Sequence, residues 1–275
     1  MQKLIIGLKR EFWEHRKIVL GIPLLLSILI VLASIAVTVW GHDQPPAPQE
    51  MKDSIPFRFI QFYLGIAWLL GFYYLAQCLH ADRKDKSILF WKSVPASETL
   101  NVLTKFLFGS LCIAAISLAI AWVTYIGLTV LGLGAGVGLE DTDSIQYVER
   151  TIIGNRLFLW PLFSLFVATL WGAPIFSFLL MVSAFAKKSP FLLLIIPLVV
   201  ISLIEQGIFG SAHLSGFLNA HLPFAVLEVV EESESLAVAA QNYFALHGVG
   251  MVVGLLLSGL MIYCTVWCRN HRFEI

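Results

Sequence analysis

Few residues in this 275-residue chain have the type and spacing that chemistry needs. Glu205 is the one acid inside a long apolar run. A carboxylate facing lipid costs up to about 3 kcal/mol at mid-depth, so this one is expected to face protein, water or a cavity. It lies about one turn from the end of its run and is followed by Gln206, so it is a candidate to line a translocation route or to snorkel to the surface. His213, His221 and His247 fall close enough in sequence for a metal or proton site, but their spacing fits no standard metal pattern. Cys264 and Cys268 share a helical face; buried small hydrophobes are preferred over half a metal site. The glycines at 132, 134, 136 and 138 end an apolar run, without the strand before and helix after that a nucleotide loop requires. Nor is there a G-x-x-x-x-G-K-[ST] phosphate loop, an H-E-x-x-H pair or a paired C-x-x-C signature. No catalytic residue and no metal site is assigned. The chain is not read as an enzyme, and has no visible means of hydrolysing ATP by itself.

The remaining candidate is a polar interruption, Asp82–Lys105, DRKDKSILFWKSVPASETLNVLTK. It carries Arg83, Lys84, Lys86, Lys92 and Lys105 around a small apolar knot, Ile88-Leu89-Phe90-Trp91, too short to cross a bilayer. Pro95 is expected to end a short helix near Ser93, because the residue before proline disfavours helical geometry. Ser97 then caps the next helix, with Glu98 in its first turn where the helix dipole favours negative charge. A helix, a sharp turn and a second helix can hold a partner and pass force into the two adjoining spans.

The elements that position this loop are membrane spans. The chain is 58% hydrophobic and 13% charged, with a mean hydropathy of +0.83. A soluble domain is typically about 25% charged. The apolar residues gather into runs of roughly 19 to 28, the length that crosses ~30 Å of hydrocarbon. About six spans are expected, at 18–40, 59–79, 106–133, 157–185, 191–209 and 244–267. With both termini inside, about 14 basic residues lie on the inner side and about four (Lys52, Arg58, Arg150, Arg156) on the outer, so the loop and the termini are placed in the cytoplasm. The first span is too long for a signal core and no A-x-A pattern follows it. Cys78, Cys112, Cys264 and Cys268 sit near inner span ends and are expected as reduced thiols. A net charge of zero gives no reason to expect a nucleic-acid partner.

Within this layout, residues 1–17 place Leu4, Ile5, Leu8 and Phe12 at helical spacing against Lys3, Lys9, Arg10, Glu14, Arg16 and Lys17. That pattern predicts a basic amphipathic helix in the inner headgroup layer. The stretch 41–56, with Pro45-Pro46-Ala47-Pro48, reads as an extended outer connector, and 134–155 as a second outer loop. In the third, 210–243, two short apolar pieces broken by Pro223 suggest re-entrant or interfacial helices, followed by Glu228, Glu231, Glu232 and Glu234. Gly250, Gly254 and Ser258 form a small-residue stripe for close packing, on a neighbouring span or a second subunit. No internal repeat and no soluble domain is found, so 1–275 is expected to form one all-α membrane domain.

The loop, with Asp82 to Lys84, Ser87-Ile88-Leu89, Val94-Pro95-Ala96-Ser97 and Lys105, resembles the cytoplasmic coupling helix of the ABC-2 type permease family. That family supplies the membrane subunits of many bacterial ABC exporters. Ser87 stands where the family commonly has Gly-Thr. The layout also resembles the family over nearly the whole chain. The resemblance implies a bacterial inner-membrane permease subunit with the bilayer, a second permease copy and a separate cytoplasmic ATPase chain as partners. This chain would bind no cofactor; ATP and Mg would sit on the ATPase. Its docking residues would be Ile88, Leu89, Phe90 and Trp91, with Arg83, Lys84 and Lys86 as polar contacts and Ser87 and Pro95 shaping the element.

Two other classes compete. A membrane scaffold would use the same loop to hold a cytoplasmic protein and would transport nothing. An ion-coupled transporter would use Glu205 and the histidines, but predicts more ionisable residues at mid-membrane than the sequence holds.

Overall fold

The computed structural model describes residues 2–40, 49–85, 97–130, 158–211, 213, 216–217, 221 and 236–271. Among these every regular element is helical and no strand occurs. In chain order they are α1 (Gln2–Trp40), α2 (Gln49–Lys84), α3 (Glu98–Leu107), a π-helical turn Phe108–Cys112, α4 (Ile113–Val130), α5 (Leu159–Trp171) and α6 (Ala173–Phe185). Then come α7 (Pro190–Ile204), a second π-helical turn Glu205–Phe209, and α8 (Leu236–His271). Among the described residues five helices, the run α3–α4 counted as one, are long and apolar enough to cross a membrane, or six if the bent pair α5–α6 counts as one span. An all-α chain with that many candidate spans is an all-α membrane protein in its broad class.

Several boundaries differ from the expected ones. The segment before the first span is helical, but it continues without a break into that span, making α1 39 residues long. The stretch 49–56 is helical and not extended. After Pro48 its sequence holds good helix formers (Gln49, Glu50, Met51, Lys52), so the helix of the second span propagates back to the proline cluster. The expected span 157–185 is broken at Gly172, where α5 and α6 meet at 54°. Gly172-Ala173-Pro174 explains the bend, since Pro174 lacks the N–H that would continue the ladder and its ring crowds the preceding turn. The second outer loop and most of 210–243, including Pro223, lie outside the described residues.

The residues gather into two compact units, the first made of Met1–Glu14, Trp68–Cys112 and Phe166–Ile275, the second of His15–Ala67 and Ile113–Leu165. Lipid tails are as apolar as leucine, so helices associate in a membrane through close packing and interhelical hydrogen bonds. Both devices are present. In the second unit, Ser27 Oγ lies 2.8 Å from Tyr63 Oη, and Thr124 Oγ1 donates to Ser27 Oγ at 2.8 Å. These bonds tie α1, α2 and α4 around buried Ile60, Leu64, Leu118 and Ala121.

In the first unit, glycines set the approach. A Cβ on Gly71 of α2 would run into the carbonyl oxygen of Gly109 in the first π-turn, and one on Gly109 would stand 2.5 Å from Leu75 Cγ. A π-turn is a common site of local adjustment inside an α-helix; here it carries Gly109 to the α2 backbone. On α8, a Cβ at Gly250 would meet the Trp171 ring at 3.1 Å and one at Gly254 would meet Pro174 at 3.0 Å. Ser258 is buried on the same face. The small-residue stripe therefore packs within this chain, against the α5–α6 bend.

Candidate functional site

The apolar knot and its neighbours, residues 86–96, lie outside the described residues, so Lys86, Ser87, Ile88, Leu89, Phe90, Trp91 and Pro95 receive no structural description. Both flanks of the loop are described, and they carry its most informative feature. Ser97 sits at the N-cap of α3 with extended backbone (φ −70°, ψ 142°), and its Oγ accepts from the Leu100 N–H at 3.2 Å. Glu98 follows in the first turn, as the sequence requires.

From the two flanks a buried ionic network extends to the first and last helices. Lys105 Nζ of α3 lies 3.3 Å from Asp82 Oδ1 at the end of α2, and 3.0 Å from Glu11 Oε1 of α1. Arg269 near the end of α8 reaches Asp82 Oδ2 at 3.4 Å, and its Nε donates to Glu98 Oε2 at 2.8 Å. Arg10 pairs with Glu11 and also reaches Asn101 Oδ1 at 3.4 Å. Tyr74 of α2 donates its hydroxyl to Glu11 Oε2 at 2.6 Å. The Glu11 side chain is wholly buried, those of Lys105 and Arg269 only 3% and 4% exposed.

Each helix brings its charge inward for a local reason. On α1, Leu4, Gly7, Leu8 and Glu11 share one face by their three- and four-residue spacing. A Cβ on Gly7 would stand 2.9 Å from Thr104 Cγ2, so α1 and α3 approach closely there. On α3, Lys105 follows buried Val102 and Thr104 and precedes buried Phe108. Charges so deprived of water are tolerated only when paired and hydrogen-bonded. Three buried or nearly buried carboxylates (Glu11, Asp82, Glu98) face three cations (Arg10, Lys105, Arg269), and the half-exposed Glu14 also lies 3.6 Å from Arg10 Nε. A network of this kind fixes register more than it adds stability. Here it locks the ends of α1, α2, α3 and α8 together at the base of the loop.

A second tie joins α2 to the end of α6. Arg83 donates from Nη2 to the carbonyl oxygens of Ser183 (2.9 Å) and Ala186 (2.6 Å), while Ser183 Oγ accepts from the N–H groups of Leu79 and His80, both at 3.1 Å. Arg83 thus satisfies carbonyls that the end of a helix leaves without intrahelical partners. Lys84 is exposed at the C-terminus of α2.

The other sequence candidates separate. Glu205 opens the second π-turn, and its Oε1 accepts from Ser211 Oγ at 3.2 Å and from the His213 N–H at 2.5 Å. The carboxylate closes the turn that follows Gly210, whose φ of +60° suits glycine. His221 is buried and stacks on Trp171, centroids 4.5 Å apart and planes 5° apart, while His213 is exposed. They form no shared ligand set with Cys264 or Cys268. Cys268 is buried with Sγ 3.8 Å from the Ala184 carbonyl oxygen, and none of the four cysteines forms a disulfide.

Sequence reasoning singled out the loop and missed the network beneath it. One signal was present: Glu11 interrupts the apolar stripe of Leu4 and Leu8, and an acid on a helix's buried face requires a buried cation. No family model matches the chain, and no curated protein and no solved structure is similar to it.

Proposed function

We propose that this chain is the permease subunit of an ATP-driven exporter of the ABC-2 type, in a bacterial inner membrane with both termini in the cytoplasm. In this reading it has six spans, the fourth bent at Gly172. The basic N-terminal part of α1 carries the first span out through the inner headgroups, and short broken helices precede the last span. The segment 86–96 carries the coupling helix, with Ile88, Leu89, Phe90 and Trp91 seated on a separate ATPase chain and Lys84 and Lys86 beside them. Two permease copies and two ATPase copies make the working unit.

One observation carries the proposal: both flanks of the loop are clamped to each other, through Lys105 and Asp82, and to α1 and α8 through Glu11 and Arg269. A loop that passes force into helices needs a stiff footing, because a yielding base would dissipate the movement. Arg83 adds a path from α2 into the end of α6. The inward charge bias and the lack of a phosphate loop in the sequence support the same reading.

The test is affinity purification of the full chain from its native membrane at native expression. The expected result is a stoichiometric companion containing a phosphate-loop sequence. Recovery of the chain with no nucleotide-binding companion, under detergents that preserve other membrane complexes, would refute the proposal.

A further inference from the structure

The ends of α2, α6 and α8 and the segment joining α6 to α7 enclose an open cleft of about 850 Å³ with a basic lining. His80, Arg83 and Lys84 come from α2, Lys187 and Lys188 from the segment before α7, and His271 from the last turn of α8. Among the described residues, no carboxylate lines it. Further along α2, α6 and α8, with α7 as a fourth wall, lies a groove of about 550 Å³ whose walls are almost wholly apolar. Leu69 and Ala76 of α2, Leu179 of α6, Phe191 and Leu194 of α7, and Met261 of α8 form its walls.

The register of the two cavities is the informative point. On α2 the groove ends at Ala76 and the cleft begins at His80; on α6 the step is Leu179 to Ala184. On the α7 side it is Phe191 to Lys188, and on α8 Met261 to Cys268. At 1.5 Å rise per residue the three steps on α2, α6 and α8 are about 6–10 Å along a helix. All four steps run in the same sense, from apolar groove to basic cleft. A solute matching this pattern has an anionic head and, within ~10 Å of it, a hydrocarbon tail. Basic pockets between membrane helices bind phosphate head groups, and the groove volume falls in the ~300–1,000 Å³ range of sites that hold one small ligand.

We infer that the groove and cleft together bind one anionic phospholipid, its phosphate head group among Lys187, Lys188 and Lys84 and an acyl chain along α7. The head-group contacts are charge-assisted hydrogen bonds, the stronger kind in a partly dehydrated site. The occupant belongs to the lone chain and needs no ATPase, so this inference and the exporter proposal stand or fall separately.

The test uses the purified full chain in uncharged detergent, with bound lipid read by native mass spectrometry. Phosphatidylglycerol and phosphatidylcholine of equal chain length are supplied together, with inorganic phosphate as a separate competitor. Phosphatidylglycerol is expected to be retained over phosphatidylcholine by roughly tenfold or more, given the several basic side chains involved. Lys187→Gln with Lys188→Gln, both at exposed positions, should erase most of that preference. Arg58→Gln, at an exposed position that lines neither cavity, should leave it intact. Leu194→Trp, which fills the groove, should lower retention of both lipids while inorganic phosphate displaces neither. The inference is overturned by equal retention of the two lipids, by an unchanged preference in the Lys187/Lys188 variant, or by full occupancy in Leu194→Trp. Displacement by inorganic phosphate at lipid-like concentrations would also overturn it, since it would make the cleft a site for free anions.

Discussion

Replacing Lys105 with methionine keeps the volume and apolar stem of the side chain and removes only the charge, so it isolates what the network contributes. Lys105 pairs with both Glu11 and Asp82, at 3.0 and 3.3 Å. At an effective dielectric of 20, each attraction is about 5 kcal/mol before the cost of dehydrating the three groups is subtracted. Removing one partner of a buried pair typically costs ~3–5 kcal/mol, because the remaining charge stays buried without compensation. The structure argues for the lower end, about 3 kcal/mol. Glu11 retains the Tyr74 hydroxyl and Arg10, and Asp82 retains Arg269. The assay is reversible denaturant unfolding in mixed micelles, followed by tryptophan fluorescence. It should be run as a cycle with Glu11→Gln, which removes the acid and keeps the Tyr74 acceptor. The double variant should be more stable than the sum of the single losses predicts, with a coupling of about 1–3 kcal/mol. A Lys105→Met loss below ~1 kcal/mol, or losses that add to within ~0.5 kcal/mol, would refute the claim that these charges act as one buried cluster.

Four further outcomes follow from the packing. Gly71→Ala should destabilise the chain by at least ~1–3 kcal/mol, since the new methyl meets the unyielding backbone of Gly109. Gly127→Ala, with nothing within 4 Å of the added Cβ, should be neutral or stabilising by up to about 1 kcal/mol, and the same unfolding assay compares the two. Ser97→Ala should cost about 1 kcal/mol and fray the first turn of α3, seen as faster amide exchange at Leu100. Ser183→Ala should speed exchange at Leu79 and His80, whose N–H groups both donate to the Ser183 hydroxyl.

What was legible in the sequence was what depends on local spacing. Ser97 with Glu98 announced a helix start, because a cap is satisfied within one turn. Gly250, Gly254 and Ser258 announced a close helix contact, because four-residue spacing keeps small residues on one face. Their partners, Trp171 and Pro174, were not legible: nothing at 250–258 records which helix lies opposite. The same limit hid the ionic network. Glu11, Asp82, Lys105 and Arg269 look like ordinary flanks of apolar runs, and only the fold brings residues so far apart in sequence into one cluster. The bend at Gly172 went unread although Gly172-Ala173-Pro174 carries it, since hydropathy averages carry no backbone geometry. The resemblance implied Arg83 as a polar contact of the partner. Its hydrogen bonds to the end of α6 depend on a helix end a hundred residues away.

The central claim, that the loop at 86–96 seats an ATPase and the buried network gives it footing, has one direct measurement. Leu89→Asp with Trp91→Ala is expressed in the native host alongside the unaltered chain, and the nucleotide-binding companion recovered per mole of membrane-inserted chain is quantified. The account predicts unchanged membrane insertion, an unchanged unfolding transition and at least a tenfold loss of the companion. A companion recovered at the unaltered ratio from the inserted, folded variant would contradict it.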